Sequence, residues 1–198
     1  MLSEFFVYLR LGFEHITDVG GLDHLLFVAA LTAIDFKHPK RLFWLVTAFT
    51  VGHSLTLVLA TLRLVSVSTA LVELLIPVTI VATCVVNGVS ALQPDHRKTK
   101  PHDGQARIRY TFAAGFGLIH GLGFSVFLRA ALGSEESILL PLFAFNTGLE
   151  IGQLAIVLLL STLAIILVRF VRMPEKVWPL GVSSAAGMAA LLILVRRL

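Results

Sequence analysis

Six long apolar segments constrain the fold of this chain of 198 residues more than any other feature of its sequence. They cover about residues 20–35, 42–62, 69–92, 110–132, 138–170 and 177–195. About 20 apolar residues in a helix cross the hydrocarbon core of a bilayer, and a helix satisfies its own backbone hydrogen bonds there. The segments therefore predict an all-α fold, an integral membrane helical bundle with about six transmembrane helices that forms a single transmembrane domain over residues 1–198.

The composition supports this fold class. Charged residues make up 14% of the chain and hydrophobic residues 57%, with a mean hydropathy of +0.89. Soluble domains average about 25% charged residues, which excludes an ordinary soluble fold. The net charge of +4 is therefore attributed to the loops, and no nucleic-acid partner is expected. The single cysteine, Cys84, excludes an internal disulfide.

Residues 2–17 and 94–108 lie outside the six segments. The first stretch, LSEFFVYLRLGFEHIT, alternates apolar and polar residues at near-helical spacing, which predicts an amphipathic helix in the membrane interface. The second, PDHRKTKPHDGQARI, is predicted to be a soluble cytoplasmic loop, with His96 and His102 as solvated side chains. The lipid bilayer is thus the expected partner of nearly the whole chain.

The basic residues are divided unevenly between the two sets of loops. Eleven follow the odd-numbered segments: Lys37, Lys40, Arg41, Arg97, Lys98, Lys100, Arg107, Arg109, Arg169, Arg172 and Lys176. The other five fall on the opposite side: Arg10, Arg63, Arg129, Arg196 and Arg197. Cytoplasmic loops carry the excess of lysine and arginine. We therefore expect a multi-pass protein of the bacterial inner (cytoplasmic) membrane with both termini outside the cytoplasm.

Polar and ionisable side chains interrupt the apolar segments in five stretches, GLDHLLF, FTVGHSLTL, VELLIP, FGLIHGLGF and FNTGLEIGQL. These stretches supply Asp23, His24, His53, Ser54, Glu73, His120, Asn146, Glu150 and Gln153. A charged group at the centre of a bilayer costs about 3 kcal/mol even on the gentler insertion scales, so such groups indicate a function. Under the expected topology they lie in the outer half or the middle of the membrane, which predicts a polar cavity that opens outward.

Imidazoles and carboxylates together are ligands for divalent nickel, cobalt, zinc, manganese and iron. The predicted metal ligands are His24, His53, His120, Asp23, Glu73 and Glu150, with Ser54, Asn146 and Gln153 in supporting roles. Six ligands are more than one four-ligand site needs. Either there is a second site along a path, or some of the carboxylates orient the imidazoles and do not bind the metal. The structural alternative is hydrogen bonding between helices, typically about 1 kcal/mol or less for each bond.

Small residues surround two of the predicted ligands. They are Gly115, Gly117, Gly121 and Gly123 around His120, and Gly148 and Gly152 around Glu150. Because small residues let helix backbones approach closely, these glycines predict tight helix packing.

The five polar stretches, in this order, resemble those of the HupE/UreJ family of membrane proteins, and most closely its second branch. The resemblance extends over most of the chain and implies a bundle of six or seven helices with a metal-permease role in nickel or cobalt uptake. It matches Asp23 and His24 to the family's Asp-His pair and makes His15 a possible upstream partner in a supporting role. In hydrogenase-linked members that upstream histidine stands closer to the pair. Those members also carry a second histidine and a glutamate soon after a His-Gly pair, whereas here only His120 and Gly121 match.

One function and two alternatives follow. The expected function is a permease for a divalent transition metal ion (nickel, cobalt or zinc), in which Asp23, His24, His53 and Glu73 capture the ion. A deeper station would consist of His120, Asn146 and Glu150. The sequence has no phosphate-binding glycine loop, so the carrier is expected to hydrolyse no ATP. The alternatives are an intramembrane metal-dependent hydrolase with an outward-facing zinc-type site, and a metal-sensing or accessory subunit. A homo-oligomer is compatible with all three.

Overall fold

A computed structural model describes residues 2–18, 21–92, 103–132 and 137–198. These residues form seven helices: α1 (Leu2–Thr17), α2 (Leu22–Asp35), α3 (Pro39–Thr61), α4 (Thr69–Leu92), α5 (Asp103–Leu132), α6 (Leu139–Arg169) and α7 (Val177–Arg197). The described residues contain no strand, and the predicted all-α membrane bundle is confirmed. The loop predicted over 94–108 is described only from residue 103, where α5 already begins. His96 and His102 lie outside the described residues.

Five helices, α3 to α7, are each long and apolar enough to cross a membrane. The first predicted span, about 20–35, corresponds to α2, which has 14 residues. At the rise of an α-helix it is roughly 21 Å long, shorter than the hydrocarbon core. α1 and α2 meet the criteria for a span only together, as a pair bent by 71°. The described residues thus contain five candidate spans, or six if the bent pair is one span, and an interfacial position for α1 stays a prediction.

Arg197 joins α2, α4 and α7 at one end of the bundle. Its Nη2 donates to Oδ2 of Asp23 at 3.1 Å, and its Nη1 donates to the backbone carbonyl of Glu73 at 2.7 Å. Pro77, inside α4, has no N–H to offer the carbonyl four residues earlier, which is that of Glu73. Arg197 therefore satisfies a carbonyl that the helix itself leaves free. We call this the Asp23 end.

Asp35, the last residue of α2, lies at the opposite end. Its carboxylate pairs with Arg109 of α5 and, at 3.6 Å, with Arg41 near the start of α3. The Asp35 side chain is 4% exposed, and both arginines are about one-third exposed. Lys37 pairs with Glu175, in the connection between α6 and α7. The helices therefore alternate in direction as the loop charges predict, while the end that faces the cytoplasm remains a prediction.

α3 and α5 pack backbone against backbone. A methyl group on Gly117 would lie 2.1 Å from the backbone oxygen of Phe49, and one on Gly121 would lie 2.3 Å from that of His53. Since any larger side chain would push these helices apart, the predicted packing role of both glycines is confirmed. This contact fixes the part of α3 that contains His53.

Candidate metal centre

Three histidines from three helices converge inside the bundle, and we call them the histidine triad. His15 lies in the last turn of α1, His24 in the first turn of α2 and His53 in the second half of α3. One possible ligand nitrogen from each lies within 4.8 Å of the other two. The ring centroid of His24 lies 4.5 Å from that of His15 and 5.9 Å from that of His53. His24 and His53 are buried, and His15 is half-buried.

The bend between α1 and α2 brings His15 and His24 together. α1 is held against α6 by a close backbone contact, since a methyl group on Gly12 would lie 1.9 Å from the backbone oxygen of Phe145. With the pair bent by 71°, the C-terminal turn of α1 and the N-terminal turn of α2 meet inside the bundle. Half-helices that end in this way are a recurrent means by which membrane transporters build ion sites.

His120, on α5, extends the triad. It is fully buried, and its ring centroid lies 5.1 Å from that of His24. Its Nε2 lies 3.3 Å from Oγ1 of Thr79 on α4, and this hydroxyl donates its hydrogen to the carbonyl of Ile76 at 2.7 Å. The hydroxyl therefore accepts the Nε2 proton of His120, which leaves the lone pair on Nδ1. A hydrogen bond of this kind fixes the tautomer of a metal-binding histidine.

Buried imidazole nitrogens without a hydrogen-bond partner in the described part of the chain mark this region. They are Nε2 of His15, Nε2 of His24, both ring nitrogens of His53 and Nδ1 of His120. Leaving a buried polar atom unpaired costs about 1–3 kcal/mol, and native proteins seldom do so without a reason. A metal ion that accepts the imidazole lone pairs would remove much of this cost. Histidines that only held helices together would have their nitrogens hydrogen-bonded.

Phenylalanine rings enclose the histidines. The ring centroid of Phe124 lies 3.8 Å from that of His15, and those of Phe27 and Phe49 lie 5.2 and 5.3 Å from that of His120. These rings supply no ligand atom, but they exclude water and strengthen electrostatic interactions at the site. An ion that enters must exchange its hydration water for imidazole nitrogen.

The carboxylates predicted as ligands lie outside the triad. Asp23 directly precedes His24, yet its Oδ2 accepts a hydrogen bond from Arg197, and its Oδ1 is buried without a partner among the described residues. Glu73 is exposed, and its backbone carbonyl is the group that contacts Arg197. A ligand role for either carboxylate stays a prediction.

Glu150 and the predicted supporting residues on α3 and α6 belong to a different region. Between these helices runs a groove of about 720 Å³, which we call the polar groove. Its polar lining residues are Thr47, Thr50, Ser54, Asn146, Thr147 and Glu150. Gln153 is buried beside it and accepts a hydrogen bond from Thr50 at 2.8 Å. Glu150 and Asn146 thus line a groove that His120 does not line, and the metal-ligand role of Glu150 stays a prediction.

Three residues of the site are weakly marked, or not marked at all, in the sequence. His15 was expected only in support, whereas its ligand atom completes the triad. The sequence carries no signal for Thr79, because a threonine in an apolar helix normally bonds its own backbone. Phe124 lies four residues after His120 and on the same helical face, which is the signal that places it beside the site.

The fold and this centre define a multi-pass helical membrane protein with a buried cluster of histidines. The pattern of the HupE/UreJ protein family matches residues 1–197, and the chain belongs to that family, which is known for links to nickel and cobalt transport. No curated protein and no solved structure matched the chain.

Proposed function

We propose that this chain is a membrane carrier for a divalent transition metal ion, with nickel or cobalt as its preferred substrate. One observation carries the proposal. Three imidazoles from three helices hold ligand nitrogens within 4.8 Å of one another, and these rings have buried nitrogens without partners in the described part of the chain. Membership of a family linked to nickel and cobalt transport supports the same class of substrate.

The ligand chemistry suits reversible binding. Imidazole nitrogen is a good ligand for nickel, cobalt and zinc, and three such ligands leave positions on the ion for water or for Nδ1 of His120. A permeating ion must be bound firmly enough to enter and weakly enough to leave. An incomplete set of neutral ligands meets both conditions better than a closed set with several carboxylates.

We assign the capture step to Asp23. Its side chain is 15% exposed at the end of the bundle that the basic loops predict to be external, and it directly precedes His24. A carboxylate there attracts cations, and its contact with Arg197 orients it. The ion would pass from Asp23 to the triad and then to His120, which lies deeper in the bundle.

Metal analysis of the purified protein, combined with uptake into proteoliposomes, tests the proposal. Wild-type protein should bind Ni²⁺ or Co²⁺ reversibly and carry it across the membrane, whereas His53→Ala should lose both activities. His38→Ala is the matched control, because His38 is exposed at the start of α3 and should be dispensable. Normal binding and flux in His53→Ala would refute the assignment.

The second candidate is an intramembrane hydrolase, and the number of imidazoles favours it specifically. Three histidines with one open position form a known type of catalytic zinc site, in which the metal activates water. The same experiment separates the two functions. A stoichiometric, tightly held zinc ion without flux would favour the hydrolase, and exchangeable metal with flux would favour the carrier.

A further inference from the structure

The polar groove between α3 and α6 contains a carboxylate within α6, one of the helices long and apolar enough to cross a membrane. Glu150 is the only ionisable side chain among the described residues that line it. At the rise of an α-helix it lies roughly 16 Å from the first residue of α6, about half the thickness of the hydrocarbon core. A carboxylate at that depth requires a positive partner or a proton. None of the ion pairs found in the described part of the chain involves Glu150.

On the α3 side of the groove, the hydroxyl hydrogens are already used. Thr47 Oγ1 donates to Oε1 of Glu150 at 2.7 Å. Ser54 Oγ donates to the backbone carbonyl of Thr50 at 2.7 Å, and Thr50 Oγ1 donates to Oε1 of Gln153 at 2.8 Å. Each of these hydroxyls therefore has only oxygen lone pairs left to offer.

The α6 side repeats the pattern. Thr147 Oγ1 donates to the backbone carbonyl of Phe143 at 2.8 Å. Asn146 Nδ2 donates to the backbone carbonyl of Leu142 at 2.8 Å, and this bond fixes the orientation of the amide. Oδ1 of Asn146 is buried and has no partner among the described residues. The groove thus combines one formal negative charge with several unused oxygen acceptors.

We propose that the polar groove binds a monovalent alkali cation, such as Na⁺, through the Glu150 carboxylate, Oδ1 of Asn146 and the hydroxyl oxygen of Thr47. Oxygen atoms are the ligands that hard cations prefer, whereas nickel and cobalt prefer the imidazoles of the triad. A single positive charge neutralises the single carboxylate, which matters most in a medium of low dielectric constant. The site therefore differs from the triad in its ligand atoms, in its charge and in the ion that it would bind.

Equilibrium binding of radioactive sodium to the purified full chain tests this site without reference to metal transport. Wild-type protein should bind Na⁺ saturably. Glu150→Gln should weaken binding by about tenfold or more, because the neutral amide removes the only charge among the ligands. Glu73→Gln is the matched control and should bind as the wild type does, since Glu73 lies outside the groove.

The elution profile in detergent reports whether each variant folds, and Ni²⁺ binding by the wild type and by Glu150→Gln keeps the two hypotheses apart. Glu150→Gln should retain Ni²⁺ binding, and failure of the wild type to bind Ni²⁺ would refute the carrier but not the sodium site. If Glu150→Gln does not fold, Asn146→Leu decides, because it removes Oδ1 at similar volume and should also weaken Na⁺ binding. Two results would overturn the inference: wild-type protein without saturable Na⁺ binding, or undiminished binding in a folded variant of either residue.

Discussion

The histidine triad and the polar groove are two polar regions in a bundle that is otherwise apolar, and they differ in how the helices around them pack. Beside the triad, α3 and α5 meet so closely that a methyl group on Gly121 would lie 2.3 Å from the backbone oxygen of His53. At the groove, α3 and α6 stand apart and leave a volume of about 720 Å³. One face of α3 is therefore rigidly held, while another borders open space.

The ligand atoms differ in the same way. The triad offers nitrogen lone pairs beside phenylalanine rings, and the groove offers oxygen lone pairs beside an open volume. Rigid imidazoles select borderline transition metals, and a looser set of oxygens suits a hard ion that exchanges easily. The comparison teaches that a single helix, α3, borders two regions with different kinds of possible ligand atom on two of its faces.

The largest expected effect comes from substituting one ligand in each region and measuring the binding of both ions. His24→Ala should weaken Ni²⁺ binding by about 100-fold or more, because removing a ligand costs more than the 10–100-fold typical of an outer-shell partner. It should leave Na⁺ binding unchanged. Glu150→Gln should do the reverse. Isothermal titration with each ion measures both affinities for both variants.

A loss of both ions in either folded variant would contradict this separation. The two regions would then be one coupled site, with the carboxylate acting on the triad at a distance. Folding is checked by the elution profile in detergent, so that general unfolding is not mistaken for coupling.

The next effect tests the close packing around the triad. Gly117→Ala places a methyl group 2.1 Å from the backbone oxygen of Phe49 and should cost about 1–3 kcal/mol of stability. Displacing α3 should also weaken Ni²⁺ binding, by about tenfold. Thermal unfolding and Ni²⁺ titration measure the two effects.

Gly115→Ala is the control for that variant, because nothing lies within 4 Å of the added methyl group. Replacing a helical glycine in open space should raise stability by up to about 1 kcal/mol. Equal stability and equal Ni²⁺ affinity of the two variants would show that α3 and α5 accommodate the added methyl group without loss of free energy.

The fold was largely predictable because segment length and apolarity determine which helices cross a membrane. What hydropathy could not reveal was the bend between α1 and α2, since the apolar segment at about 20–35 was predicted as a span of its own although α2 has only 14 residues. That bend brings His15 to His24. The sequence therefore predicted His24, His53 and His120 as ligands but gave His15 only a supporting role.

The carboxylates were harder to place, for a geometric reason. Position along a helix gives the depth of a side chain in the membrane, but the direction in which it points depends on how the helices pack. Glu73 and Glu150 lie at suitable depths, yet Glu73 is exposed and Glu150 lines the polar groove. His53 and His120 face one region because glycines bring α3 and α5 together, a pattern that the sequence does indicate.

A smaller effect is expected from the hydroxyl that supports His120. Thr79→Val removes the acceptor for Nε2 of His120 at nearly constant volume and should reduce Ni²⁺ affinity by about tenfold, as loss of an outer-shell partner does. Thr83→Val is the matched control, because its hydroxyl bonds the backbone carbonyl of Thr79 and has no part in that contact. Identical Ni²⁺ affinity in the two variants would show that the contact between Thr79 and His120 does not support Ni²⁺ binding.

The smallest effect on the triad should come from the ion pairs at the other end of α2. Asp35 lies roughly 16 Å along the helix from His24 at the rise of an α-helix. Asp35→Asn leaves Arg109 and Arg41 without their partner and should lower stability by about 1–2 kcal/mol, less than for a fully buried pair because both arginines are partly exposed. Lys37→Gln, in the more exposed pair with Glu175, should cost less than about 0.5 kcal/mol.

Ni²⁺ affinity should stay within about twofold in both variants, because screening and distance leave little coupling between the ends. If Asp35→Asn weakened Ni²⁺ binding as strongly as His24→Ala, α2 would be transmitting a change from one end of the bundle to the other, and the triad would not be the self-contained region that its packing indicates.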